Sequence, residues 1–445
     1  MTPHRSRGRT ALLLAITALI SLVLALAGSE AVLRVVYRDA GRATLGGPGG
    51  RDFVYTYVPS AAEPAAELRG PMATGPKAPG VRRLMVQGDS ITWGQGVTAW
   101  TDTYPARLLA TLNAGGPRYD MAVYAYPGKE IDNHLATIAK AIPDVRPDIV
   151  VYQWYSNDVE ISKAARPTSR RAWRNWSGHT TLRAWSYLYF TLDFALDAFV
   201  PASGRTYLQY LEEDFADGTP AWRAFTRTFH SWAAYASGYA DRTIVMLYPP
   251  VPMTALVELR QRMAALAAGQ VLTFEPAEMA HPSGTLAVAP GLRLAHGDYL
   301  ASLQLRLDAP AQGDVARVTI TRGADRAVVA TFPVSAAALG SPGTWQTVPL
   351  PFRIDEPVAS DVTVQVHAIG PGAVSVGRLD VPVHYGIEVL DLEPHLTGMN
   401  TAASLFDAHP GAPAHAVMAA VLARAIQAAP ASTAAPAHAR PKPRT

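Results

Sequence analysis

Alternation of strand-like and helical segments between Arg82 and Ala268 is the feature that most constrains the fold of this chain. The strands are predicted at short apolar runs, residues 84–86, 119–124, 148–154 and 243–248. Parallel strands need long crossover connections, and the helical patterns between these runs supply them. The alternation therefore predicts an α/β domain built on a parallel sheet.

Further along the chain the pattern changes to alternation of apolar and polar residues. This period of two recurs in the runs 303–307, 316–320 and 362–368. Several such strands at short spacing predict a β-sandwich. The apolar run 386–392 then reads as one more strand of the parallel sheet. We therefore expect an all-β, jelly-roll-like sandwich inserted into the α/β domain, with its two ends close together in space.

The N-terminus carries an apolar segment, residues 11–28, behind three arginines. It is short for crossing a bilayer and long for a signal peptide. The motif Ala25-Leu26-Ala27 resembles a cleavage site, but the helical pattern continues beyond it. We expect an uncleaved membrane anchor, with a cleaved signal peptide as the alternative. Both place the rest of the chain outside the cytoplasm, on the periplasmic or cell-surface side, anchored in the first case and secreted in the second.

The domain organisation follows from these patterns. We predict a basic leader at 1–10, the anchor or signal segment at 11–37, a linker at 38–80, the α/β domain at 81–269 and 385–427, the inserted sandwich at 270–384, and a disordered tail at 428–445. A long helical excursion at 159–240 is rich in Trp and Tyr. It reads either as core or as an interfacial lid beside the anchor.

Composition excludes several classes of function. The chain has no cysteine, which excludes disulfides, thiolate catalysis and cysteine-zinc sites. Its net charge is +3, part of the basic excess lies in the two tails, and no basic stripe with interleaved aromatics appears, so we expect no nucleic-acid partner. The histidines show no metal-ligand spacing, so we expect no metal.

Four polar motifs follow predicted strands. They are Gly88-Asp89-Ser90, Pro127-Gly128, Ser156-Asn157-Asp158 and Asp407-Ala408-His409-Pro410. Ligands bind at the carboxyl edge of open α/β sheets, so we expect all four motifs to meet there. Ser90 is the candidate nucleophile, His409 the general base that takes its proton, and Asp407 the group that orients the imidazole.

Three groups in these motifs are candidate donors to an oxyanion. They are the backbone amides of Ser90 and Gly128 and the side-chain amide of Asn157. The two aspartates, Asp89 and Asp158, read as structural carboxylates that hold turns. An alternative base, His415, lies inside the predicted last helix.

The ordered set of motifs resembles the SGNH, or GDSL, hydrolase superfamily over residues 82–260 and 385–427. The segments Tyr104-Pro105, Tyr126-Pro127-Gly128 and Asn157-Asp158-Val159 are typical of its membrane-anchored members. The resemblance implies a flavodoxin-like three-layer fold, no metal or other cofactor, and the following site residues: Ser90 as nucleophile, Gly128 and Asn157 as oxyanion donors, and His409 as base. The family commonly has its acid three residues before the histidine, whereas Asp407 stands two before His409. A backbone carbonyl is therefore the alternative orienting group.

The resemblance implies a serine esterase that hydrolyses O-acyl esters, in particular O-acetyl esters, on a carbohydrate or cell-envelope polysaccharide. Two alternatives stay open: an O-acyltransferase that acetylates an exported polysaccharide, and a non-catalytic glycan-binding or assembly protein on the same scaffold. The expected partners are an acylated small molecule or polysaccharide and the membrane. The sandwich reads either as a carbohydrate-binding module or as a spacer or wall of the substrate cleft.

Overall fold

The computed structural model describes residues 4–36, 70–97, 99–160, 176–199, 207–249, 254–269, 271–289, 291–369, 374–404 and 407–428. Most of the predicted linker and the predicted tail lie outside these residues.

The helices are α1 (His4–Val36), α2 (Ser90–Trp93), α3 (Tyr104–Leu112), α4 (Ile131–Val145), α5 (His179–Trp185), α6 (Tyr187–Phe199), α7 (Tyr207–Asp214), α8 (Pro220–Tyr239), α9 (Thr254–Ala267), α10 (Ala336–Leu339), α11 (Glu393–Leu396) and α12 (Ala412–Gln427). The strands are β1 (Arg82–Gly88), β2 (Tyr119–Ala125), β3 (Ile149–Trp154), β4 (Arg242–Leu247), β5 (Val271–Phe274), β6 (Ala287–Val288), β7 (Leu292–Leu307), β8 (Asp314–Arg322), β9 (Ala327–Ser335), β10 (Trp345–Ala368), β11 (Val374–Pro382), β12 (Ile387–Asp391), β13 (Ala402–Ser404) and β14 (Asp407–Pro410).

A parallel sheet of five strands has the order β12-β4-β3-β1-β2. Counted along the chain, its strands are arranged 2-1-3-4-5, which is the flavodoxin-like order. Strands of such a sheet are buried on both faces. In β1, Leu84 and Val86 face a layer that contains α3 and α12, and Met85 faces a layer that contains α4, α8 and α9. The predicted three-layer α/β fold is confirmed.

The free edge of β2 is covered by the segment that precedes β1. The Ala73 amide donates to the Met121 carbonyl at 3.1 Å, and the Val123 amide donates to the Pro71 carbonyl at 2.9 Å. An uncovered edge strand is a template for pairing with another chain. These bonds close that edge.

Antiparallel strands β5 to β11 lie between β4 and β12 in the chain, in the order β5-β11-β7-β10-β8-β9, with β6 paired to β10. Strand β10 pairs with β7 as far as Val362 and then with β8 from Thr363 onward. A strand that passes from one sheet into another forms the corner of a sandwich. Val271 of β5 pairs with Pro382 of β11, so the ends of the unit are adjacent. The inserted all-β fold is confirmed, while its limits at residues 270 and 384 stay predictions.

Helix α8 contacts both units. On one side the Trp232 indole Nε1 donates to the Gln87 side chain of β1 at 2.7 Å. On the other side Gly238 lies against β10 so closely that a Cβ atom would overlap the Pro357 carbonyl oxygen. One hydrophobic cluster therefore continues from the α/β layers into the sandwich.

The close approach at Gly238 predicts the sign of a stability change. Helix propensity alone makes Gly→Ala stabilising by up to about 1 kcal/mol. Because the added methyl group meets the Pro357 carbonyl, we expect Gly238→Ala to lower the free energy of unfolding by about 1–3 kcal/mol instead. Denaturant titration measures the change, with Ser237→Ala as the neighbouring control. A more stable Gly238→Ala variant would contradict the close packing of α8 on the sandwich.

Helix α1 is exposed along its apolar length. The stretch Arg9–Val36 is long and apolar enough to cross a membrane, judged by length and composition. The predicted helical excursion is present as helices α5 to α8, with residues 161–175 and 200–206 outside the described chain.

Candidate active site

Ser90 begins helix α2 directly after β1. This helix is a single turn that ends at Gly94, whose φ of 85° is in the left-handed region. A helix this short has a small dipole, so the local amides matter most. Asp89 caps the turn, because its Oδ1 accepts the Ile91 amide hydrogen at 3.0 Å.

Gly88 is required for the tight path into this turn. A Cβ atom there would overlap the Thr92 hydroxyl. That hydroxyl donates to Gln153 Oε1 of β3 at 2.9 Å and lies 2.8 Å from the Tyr104 hydroxyl. Since the single Thr92 hydrogen goes to Gln153, Tyr104 is the donor to Thr92. The chain of bonds ties the turn to β3 and α3.

His409 reaches Ser90 from the other end of the sequence. Its Nε2 lies 2.9 Å from Ser90 Oγ, across a sequence separation of 319 residues. Strands β13 and β14 form a short antiparallel hairpin here. Gly96, with φ 95°, lies against this hairpin: a Cβ atom would be 2.7 Å from Ala403 Cβ and 3.4 Å from His409 Cβ. The close approach of the Gly96 segment to the hairpin positions the His409 imidazole.

The predicted orienting group is Asp407, and the alternative base is His415. The Asp407 backbone pairs with Ser404, but its side chain lies outside the described part of the chain, so its orienting role stays a prediction. His415 is buried in α12, and its Nδ1 accepts the Tyr104 amide hydrogen at 3.0 Å. This bond holds the first turn of α3. His409, and not the alternative base His415, contacts Ser90.

Asn157 lies in a 3₁₀ turn at residues 156–159 that follows β3. Its Nδ2 donates to Asp89 Oδ2 at 3.2 Å. An amide group has two hydrogens, so one remains for an oxyanion. Asp89 therefore holds the nucleophile turn with Oδ1, while its Oδ2 binds Asn157 and also lies 3.4 Å from Ser90 Oγ. The sequence indicates only the turn role of Asp89, because spacing carries no signal of a contact between residues 68 positions apart.

Gly128 follows the neighbouring strand β2. Its φ of 67° is in the left-handed region, which glycine adopts without strain. Ala125 is in register with Gly88, and the Tyr126 amide donates to the Gly88 carbonyl at 3.2 Å. The turn that carries Gly128 therefore lies beside the nucleophile turn at the same edge of the sheet.

Asp158 is fully buried next to these groups. Its Oδ2 accepts the Tyr155 amide hydrogen at 2.9 Å. Burial, and after it the negative charge of Asp89, raise the pKa of Asp158 well above its ordinary value. His134 Nε2 lies 3.6 Å from Asp158 Oδ1, and burial lowers the pKa of His134 to about 4. The histidine is therefore neutral at pH 7, and Asp158 is shifted toward its neutral, protonated form.

The two buried aspartates predict opposite responses to the same substitution. In Asp89→Asn an NH₂ group faces either the Ile91 amide or the Asn157 amide, donor against donor, so we expect a loss of at least about 10² in the esterase turnover proposed below. Asp158→Asn resembles the protonated acid, so we expect turnover close to that of the wild type.

The pH dependence of stability gives Asp158 a further test. Unfolded Asp158 releases its proton above about pH 3.9, whereas the folded state holds it, so this group lowers the free energy of unfolding as pH rises. Asp158→Asn removes that loss, and the variant should gain stability relative to the wild type as pH is raised from about 4 toward neutrality. Thermal unfolding across this range measures the difference. A relative loss with rising pH would show that Asp158 is buried as a charged group.

The aromatic residues beside the site mainly pack in the hydrophobic core. Trp93 and Trp154 are buried in the hydrophobic clusters on the two sides of the sheet. Tyr155 is half-buried, with its ring 6.1 Å from that of Tyr248. Within the residues that the structure describes, no three His, Asp or Glu side chains come together as metal ligands.

Comparison with known proteins gives distant structural likenesses. No family model and no curated protein matches the chain. The structure described as TesA is 16% identical, with a TM-score of 0.26, over 42% of this chain and 73% of that one. A catalytic mutant of Axe2, an acetylxylan esterase from Geobacillus stearothermophilus, is 16% identical, with a TM-score of 0.23, over 42% and 68%. A carbohydrate-binding module of Cellvibrio mixtus lichenase 5A is 13% identical, with a TM-score of 0.19, over 25% and 95%. Values this low carry no argument about activity, and the fold is assigned from the strand order.

Proposed function

We propose that this protein is a serine esterase that hydrolyses O-acyl esters, in particular O-acetyl esters, on a carbohydrate or cell-envelope polysaccharide. The distance of 2.9 Å between His409 Nε2 and Ser90 Oγ is the observation that carries the proposal. A base within hydrogen-bond reach of a serine hydroxyl is the geometric requirement for an activated nucleophile.

The first half of the reaction acylates Ser90. Its Oγ attacks the ester carbonyl carbon while His409 Nε2 takes the hydroxyl proton. The carbonyl oxygen becomes an oxyanion, which accepts hydrogen bonds from the Asn157 side-chain amide and the amides of Ser90 and Gly128. When this intermediate collapses, the bond to the alcohol breaks and the imidazolium returns the proton to the departing alkoxide. A sugar hydroxyl leaves, and the acyl group stays on Ser90.

The second half restores the enzyme. His409 takes a proton from water, and the resulting hydroxide attacks the acyl carbon. A second oxyanion forms at the same donors and collapses with release of the carboxylic acid, and His409 returns the proton to Ser90 Oγ. Donors fixed in advance cost no reorganisation during this step. The hydrogen bond from Asn157 to Asp89 supports such a fixed position.

The substrate class is supported by the resemblance of the motifs to a family that often deacetylates sugars. The apolar helix α1 supports a location outside the cytoplasm, where envelope polysaccharides are found. The rigid contact between α8 and the sandwich supports the sandwich as a fixed wall beside the α/β domain.

The nucleophile is tested by turnover of 4-nitrophenyl acetate with the detergent-solubilised full chain. We expect Ser90→Ala and His409→Ala each to lower kcat/KM by at least about 10³ while both variants stay folded. His415→Gln is the matched control. It replaces the ring nitrogen that accepts the Tyr104 amide hydrogen and should lower stability, with kcat of the folded fraction retained.

The outcomes separate the alternatives. Equal activity in the wild type and Ser90→Ala would refute the assigned nucleophile. An inert wild type would favour transfer of the acyl group to a sugar hydroxyl, or a scaffold without chemistry. An acyl-Ser90 adduct detected by mass spectrometry in that inert protein would select the transferase.

Asp407 is tested by Asp407→Asn. If its carboxylate holds the imidazole in the reactive tautomer, kcat falls by about 10⁴, because an amide presents the wrong partner to Nδ1. Phe406→Asp in the same background places a carboxylate at the position that is common in the family, and it should restore part of the activity. Full activity of Asp407→Asn would assign the orienting role to a backbone carbonyl.

A further inference from the structure

Glu30, near the end of α1, caps helix α6. Its two carboxylate oxygens accept hydrogen bonds from the Tyr187 amide at 3.1 Å, the Leu188 amide at 2.9 Å and the Ser186 hydroxyl at 2.8 Å. The first amides of a helix have no partner within the helix, and the N-terminal end of the dipole favours a negative charge. Glu30 supplies the acceptor oxygens and the negative charge, although it is more than 150 positions away in sequence.

Arg34, one turn further along α1, strengthens the same contact. Its Nε lies 2.7 Å from Glu30 Oε1, and its Nη2 donates to the Trp185 carbonyl at 2.8 Å. Its guanidinium carbon lies 5.1 Å from the centre of the Trp185 ring and 5.8 Å from that of Tyr187. The end of the apolar helix is therefore joined to α5 and α6 by a charged cluster.

The position of Glu30 along α1 sets the depth of this cluster. The uncharged stretch between Arg9 and Glu30 is as long as the ~20 residues that cross a ~30 Å hydrocarbon core. Glu30 and Arg34 then lie where the core ends and the headgroup layer begins. Whatever is bonded to them lies in that layer.

The segment held there exposes apolar side chains. Trp185 is 67% exposed, and Trp176 and Leu192 are each 59% exposed. Leu192 is five residues from the capped Tyr187, so it stays within about 8 Å of it along the helix, whichever way α6 points. Tryptophan is enriched at membrane interfaces, where its apolar ring is buried while its N–H remains hydrated.

We propose that α5, the turn before it and α6 form a second contact with the bilayer, a phospholipid surface bound by Trp176, Trp185 and Leu192 and held at headgroup depth by Glu30. This inference rests on α1 as the anchor and is independent of the esterase activity. With this contact the protein is attached to the bilayer at two places, through α1 and through the segment of α5 and α6.

The absence of cysteine makes the contact measurable in the full chain. Leu192→Cys is labelled with bimane, and the protein is reconstituted into vesicles of phosphatidylcholine and phosphatidylglycerol that contain brominated acyl chains. Val328→Cys, on β9 of the sandwich and 65% exposed, is the matched control. We expect a loss of bimane emission at position 192 and none at position 328. Equal emission at the two positions would overturn the proposal.

Glu30→Ala then tests the capping carboxylate. Helix α1 remains, so the variant should stay with the vesicles after alkaline washing, while the label at position 192 regains its emission. Quenching unchanged in Glu30→Ala would refute the role of Glu30, and protein that washes off the vesicles would refute the anchor. Hydrolysis of 4-nitrophenyl acetate by the solubilised protein is measured in parallel, so failure of the esterase proposal is detected separately.

Discussion

The candidate site depends on the hydrogen bonds that the buried Asp89 carboxylate accepts. A carboxylate removed from water is costly unless both oxygens are hydrogen-bonded, and here Ile91 and Asn157 supply the bonds. One donor comes from the turn after β1 and the other from the turn after β3, so the bonds form only when these strands are neighbours in the correct register. The geometry of the nucleophile and of an oxyanion donor is thus a consequence of the strand order.

Much of the fold was predictable because it rests on periodicity. Buried parallel strands appear in the sequence as short apolar runs, and the strands of the sandwich appear as alternating apolar and polar residues. Both patterns can be read from a single sequence. The order of the polar motifs after successive strands predicted where Ser90, Asn157 and His409 would meet. The hairpin at 402–410 was not predictable, because strands of three and four residues have no period. The contacts of Asp89 with Asn157 and of Glu30 with α6 join distant residues, and a single sequence carries no signal for such pairs.

Helix α8 makes the two folds one structural unit. Trp232 reaches Gln87, whose strand ends at the nucleophile turn, and Gly238 contacts the sandwich two turns further along the same helix. Interiors as dense as this transmit displacement, since a packed helix has little room to move. The sandwich and β1 are therefore linked through contacts of one helix, even though the two units have different architectures.

Insertion of the sandwich between β4 and β12 has a consequence for how the molecule folds. Pairings between distant parts of a chain form slowly, because the intervening loop must be closed before the contacts are gained. The pairing of Val271 with Pro382 shortens that loop: once β5 and β11 have met, β12 is brought back to β4. Formation of the sandwich therefore lowers the loop-closure cost of the pairing between β4 and β12.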